Sequence, residues 1–202
     1  MRNRNPYIFF AIAALLLVQA SAQAHLVTTG LGPVYDGIGH FSLSPDDSIP
    51  VVALGILAGL RGKAAGRGMM FQLPLAWLCG GVAGLMAHLQ STFPLQCISF
   101  LLVGILIATD LRLPDLLVLA VGVLVGFVHG FLDGVGFQDA GPGKGVLQLI
   151  GIAVIIFVLA TIVSALVVSV RPSWARIIVR VAGSWIAAIG LLMLGWALRP
   201  VK

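Results

Sequence analysis

Long apolar runs constrain this chain more than any other feature. Six nearly charge-free stretches follow one another, at Asp47–Leu60, Met70–Leu89, Pro94–Thr109, Leu116–Phe131, Val146–Val170 and Ile177–Leu198. A helix crosses a hydrocarbon core with about 17–25 residues, and most of the stretches approach or reach that length. The first is short unless residues 41–46 join it. In lipid every backbone polar group needs an internal partner, so only helices or closed barrels span. Runs this long lack the alternation of barrel strands. Composition agrees: 59% of the residues are hydrophobic and 9% charged, against roughly 25% charged in a soluble domain. The reading is an all-α polytopic membrane bundle of six transmembrane helices, with lipid around it, and not a soluble enzyme.

The N-terminus reads as a targeting segment. Arg2 and Arg4 precede a short apolar region, Tyr7–Val18, and Ala22-Gln23-Ala24 matches a small-residue cleavage site. Cleavage divides the chain into a signal peptide, residues 1–24, and a six-helix permease domain, residues 25–202, with His25 as the mature N-terminus outside the cytoplasm. The first, third and fifth connections then lie inside and carry Arg61, Lys63, Arg67, Arg112, Arg171, Arg176 and Arg180. The outer segments carry Lys144, Arg199 and Lys202. This is the positive-inside bias, and it places the protein in a bacterial inner membrane. The net charge of +5 does not point to nucleic acid, because the basic residues sit in short loops without interleaved aromatics.

Glycines recur every fourth residue at Gly122, Gly126, Gly130 and Gly134, and Gly55 and Gly59 repeat the spacing. Such stripes let helix backbones approach closely, and they are the expected route for anything passing between the helices. Cys79 and Cys97 fall inside apolar runs at no metal-ligand spacing and read as buried thiols. The GPGKG stretch at 141–145 lacks the spacing of a phosphate-binding loop and reads as a turn.

Ionisable residues in membrane segments are costly and are functional candidates. All four histidines and most aspartates fall on the outer side. One cluster, YDGIGHFSLSPDD, holds Asp36, His40, Asp46 and Asp47 before the first span. Part of it reads as a helix start, with Ser44 as N-cap, Pro45 at the first helical position and Asp47 at the capping-box position. A cap accounts for no histidine. The second cluster, GFVHGFLDGVGFQD, places His129 and Asp133 four residues apart, on one helix face. His88 stands alone at a helix end, and His25, once freed, offers both its amine and its imidazole. Imidazoles and carboxylates on one side, with no glutamate in the chain, form a ligand set for a borderline divalent cation.

These motifs resemble those of the HupE/UreJ family, small membrane proteins associated with hydrogenase and urease operons and regarded as nickel or cobalt permeases. The family's first motif is a histidine, five residues, then Asp-His. Here it reads His40, five residues, Asp46-Asp47. The second, His-Gly-x-x-His-Gly, reads His129-Gly130-Phe131-Leu132-Asp133-Gly134. Aspartate replaces the second histidine of both, and Gly136 stands where a family acid is expected. The resemblance implies a secondary uptake permease with no permanently bound cofactor. Its cargo is Ni²⁺ or Co²⁺, with Mn²⁺ and Zn²⁺ left open by the harder oxygen donors. His40 and Asp46 would capture the ion, His129 and Asp133 complete the site, and Asp47 and Asp36 add oxygens, with His88 and His25 in reserve. Two alternatives stay open: an accessory or sensor subunit for metalloenzyme maturation, and a metal-dependent membrane enzyme. Partner classes implied are the metal ion, a second copy of the chain, and metallochaperone or maturation proteins.

Overall fold

A computed structural model describes residues 28–87, 95–169 and 173–199; the expected signal peptide lies outside them. The described residues form seven α-helices: α1 Pro33–Leu43, α2 Pro45–Arg61, α3 Lys63–Met86, α4 Leu95–Thr109, α5 Asp115–Gly136, α6 Pro142–Ser169 and α7 Ser173–Ala197. A short 3₁₀ turn, Gln138–Ala140, joins α5 to α6. Within the described residues, each of the six expected apolar stretches maps to one helix, α2 to α7.

Four helices, α3, α5, α6 and α7, are long and apolar enough to cross a membrane, and α1 with α2 makes a fifth if their 79° bend is read as one broken span. α4 has 15 residues, a length of about 22 Å against a core of roughly 30 Å. The chain is therefore a multi-pass membrane protein. Leu116, Leu124, Ile162, Trp185 and Leu192 lie exposed along its helices, as lipid contact requires.

Glycine register fixes the topology. A methyl group on Gly130 would overlap the Trp77 carbonyl, one on Gly134 the Gly81 carbonyl, and one on Gly126 would come within 2.9 Å of Leu73. Numbers rise together, so α3 and α5 run parallel, backbone against backbone. Two parallel helices need a return between them, and α4 supplies it. Against α4, Gly183 meets Ala108 and Gly190 meets Leu101, which makes α7 antiparallel to α4. Gly55 and Gly59 rest on Val163 and Val167, so α2 and α6 run together. Six helices thus alternate in direction through the bundle. The stripes do bring helices close, but at Gly130 and Gly134 the α5 backbone rests directly on that of α3 and leaves no room between them. The expectation of a route along that stripe is corrected accordingly.

Helix boundaries shift some expected features. Gly62, at φ 118°, breaks α2 from α3 in a single residue, so Lys63 and Arg67 sit in the early turns of α3 and not in a loop. Only Gly141, at φ 83°, is a turn residue in the GPGKG stretch; Pro142 already opens α6. Cys97 is buried, but Cys79 is exposed and free, because it lies on the side of α3 away from α5.

Most of the described basic residues gather at one end of the bundle, Lys144 and Arg199 lying at the other. Asp110, in the left-handed region at φ 48°, accepts from Arg61 Nη2 at 2.8 Å and forms an ion pair with Arg176 Nε at 2.9 Å. Arg180 donates to the Ala108 carbonyl at 3.0 Å. This knot ties the ends of α2 and α4 to the start of α7. The imidazole and carboxylate cluster lies at the opposite end.

Candidate metal centre

His40 comes from α1, Asp47 from α2, and His129 and Asp133 from α5. The corner at Ser44 brings the first two together. Seven residues of straight helix would separate them by about 10 Å along the axis. The 79° bend folds that distance away. Ser44 occupies the N-cap position of α2 but makes no side-chain cap; its hydroxyl donates back to the His40 carbonyl at 2.8 Å. Asp47 is likewise not a capping-box residue. Its side chain is buried and points into the bundle. The helix start stands as expected, with Ser44 at the N-cap position and Pro45 opening α2, but the Ser44 side chain makes no capping bond and the Asp47 carboxyl meets His129 instead.

His40, Asp47 and Asp133 each present one donor atom, and the three atoms lie within 4.8 Å of one another. Donors bound to one ion at about 2.1 Å stand no more than about 4.2 Å apart, so a contraction of under about 1 Å would seat a cation among them. His40 Nε2 is 3.5 Å from Asp133 Oδ1, too long for a good hydrogen bond. His40 Nδ1 is buried with no partner among the described residues, while the ring packs edge-on to Phe137 at 5.0 Å. With its Nδ1 unpaired and its Nε2 only loosely met by Asp133, the His40 imidazole is poorly satisfied by protein groups and is available as a ligand.

His129 is fully buried and both ring nitrogens are engaged. Nδ1 lies 2.9 Å from Asp47 Oδ1 and Nε2 lies 2.7 Å from Ser99 Oγ. The Ser99 hydroxyl also donates to the Gln96 carbonyl at 2.7 Å. A hydroxyl has one proton, so Ser99 accepts from His129 Nε2–H. The other nitrogen faces the Asp47 carboxyl. His129 thus holds Asp47 in place, with no lone pair directed at the cluster centre. Asp133 is held in the same way: its Oδ2 accepts from the Trp77 indole N–H at 2.8 Å. Trp77 is fully buried, 6.0 Å from Phe41 and 5.4 Å from His129 between ring centroids.

The remaining expected residues sit elsewhere. Asp46 accepts from Gln96 Nε2 at 3.1 Å, outside the group of three. Asp36 accepts from the Thr29 backbone N–H at 2.6 Å and its hydroxyl at 2.7 Å, and so organises the approach to α1. His25 and His88 lie outside the described residues. Gly136 is exposed, with open space where a side chain would stand. Sequence reasoning missed Trp77, Ser99 and Gln96. Two signals pointed to them: an indole N–H in an apolar run needs a partner, and a serine there does too.

Comparison with protein families gives a match to the HupE / UreJ protein family over residues 13–193. No curated protein and no solved structure matches the chain. The family match covers most of the sequence and includes both motifs. The chain belongs to the HupE/UreJ family, whose proteins are membrane transporters and not enzymes.

Proposed function

We propose that this HupE/UreJ protein is an uptake permease for a divalent transition-metal cation, with Ni²⁺ or Co²⁺ favoured, as the family implies. One observation carries the reading: donor atoms from three helices, His40, Asp47 and Asp133, meet within 4.8 Å at the end of the bundle away from the arginine knot. With that knot on the inner side, as the positive-inside bias expects, the cluster faces outward. Six spans then follow a cleaved signal peptide in a bacterial inner membrane.

In this reading an ion reaches the corner between α1 and α2 and sheds water as His40, Asp47 and Asp133 replace it. The carboxylates offset its charge, and the imidazole adds preference for a borderline metal. His129 and Trp77 keep the two acids aimed. The α3 and α5 backbones leave no room at Gly130 and Gly134, so passage runs on the side of α2 and α4, where the contacts near the cluster are between side chains: Gln96 with Asp46, and Ser99 with His129. An interior-negative potential supplies about 2.3 kcal/mol per charge per 100 mV, roughly twice that for a divalent ion.

Uptake of ⁶³Ni²⁺ or Co²⁺ into liposomes holding only this protein tests the proposal. His40→Ala and Asp133→Ala should each abolish uptake while the purified protein stays monodisperse. Normal uptake in both variants would make the cluster structural. Binding by the wild type without uptake would leave the accessory or sensor role standing instead.

A further inference from the structure

Each carboxylate of the cluster has one oxygen already taken by a buried nitrogen. Asp47 Oδ1 faces His129 Nδ1 at 2.9 Å, and Asp133 Oδ2 accepts from Trp77 Nε1 at 2.8 Å. The two holders are fully buried and lie against each other, ring centroids 5.4 Å apart, so neither rotates away without displacing the other. Trp77 is further fixed by Phe41 on α1 and by Gly130, whose missing side chain admits the Trp77 carbonyl.

We propose that Trp77 is a specificity-determining residue that acts through Asp133. Resting on the permease reading above, it limits this acid to one ligand oxygen and so tunes the site against ions that demand many oxygens. Hard ions such as Ca²⁺ and Mn²⁺ favour oxygen-rich shells, and Ca²⁺ takes carboxylates through both oxygens when both are free. With Asp133 and Asp47 each restrained at one oxygen, the cluster offers one imidazole nitrogen and two single oxygens. Replacing a histidine by aspartate in both motifs would by itself harden the site; the indole and imidazole donors counter that change.

The test replaces Trp77 by the isosteric benzothienylalanine, which has sulfur in place of the indole N–H, and separately makes Trp77→Phe. Affinities for Ni²⁺, Co²⁺, Mn²⁺ and Ca²⁺ are measured on the full-length protein in detergent, together with the Co²⁺ ligand-field absorption. Loss of an outer hydrogen-bond partner at a metal site changes affinity by about 10–100-fold. The expected result is a fall of roughly tenfold in the preference for Ni²⁺ over Mn²⁺ and Ca²⁺, with a weaker Co²⁺ band as coordination number rises. An unchanged preference, or an equal loss for all four ions, overturns the inference, because a merely structural tryptophan predicts one or the other. A wild type that binds none of the ions overturns the permease reading itself.

Discussion

Gly130→Ala is the sharpest test of how the site is held. The new methyl group would overlap the Trp77 carbonyl, which is backbone of a neighbouring helix and cannot swing aside. α3 and α5 must then part, and with them Trp77 and Asp133, now joined by a 2.8 Å hydrogen bond. A separation of about 1 Å would take that bond beyond 3.5 Å, where it ceases to be one. Overpacking of this kind costs about 1–3 kcal/mol. The control is Gly136→Ala, the same change at the last residue of the same helix, where nothing lies within 4 Å. There alanine's better helix propensity is neutral or stabilising by at most about 1 kcal/mol. Thermal unfolding in detergent should therefore separate the two variants by several degrees, at roughly 2–4 °C per kcal/mol for a chain of this size. Liposome uptake should fall by about a hundredfold in Gly130→Ala, the effect of misplacing a reacting group by 1 Å, and hold in Gly136→Ala. Equal melting and equal uptake would refute the backbone contact on which the site's geometry depends.

The other predictions separate neighbours. Asp47→Asn should reduce metal affinity at least tenfold, since Asp47 is buried within the group of three, while Asp46→Asn, facing Gln96, should change it less than threefold; calorimetric titration with Ni²⁺ distinguishes them, and equal effects would mean that Asp46 is the ligand. At the opposite end, Arg61→Ala removes a guanidinium whose side chain is 6% exposed and should cost roughly 2–4 kcal/mol, the low side because Arg176 still faces Asp110. Arg176→Ala, at 53% exposed, should cost under about 1 kcal/mol, and matched melting curves would show that the knot does not bear on stability.

Much of this was legible in the sequence because membranes simplify the code. Apolar length located α3 to α7 to within a few residues at most ends, and the glycine repeat at 122–134 announced a close backbone contact on α5 without naming its partner. The sign of loop charges sorted Arg61, Arg176 and Arg180 to one end, where the structure gathers them. Asp46 against Asp47 was not legible: adjacent residues on a helix point about 100° apart, and only the packing of α2 against α5 decides which faces inward. Nor was Trp77. Its relation to Asp133 depends on which helix lies across from α5 and in what register, and neither follows from reading one run at a time. The local signals at Ser44 and Pro45 did announce the start of α2, but they could not show that the tertiary fold turns the Asp47 side chain toward His129.

The corner at Ser44 has a bearing on what this protein can tolerate. His40 and Asp47 meet because a fixed count of residues turns a fixed angle, so the spacer works as a measure of length. Swapping side chains within it, at exposed Ser42 or Leu43, leaves that measure intact. Adding or removing one residue rotates everything downstream by about 100° and carries Asp47 out of reach, however well the new sequence suits a helix. Insertions here should silence the protein far more often than substitutions do, and a designer seeking a different cargo would change the letters of the spacer and leave its number alone.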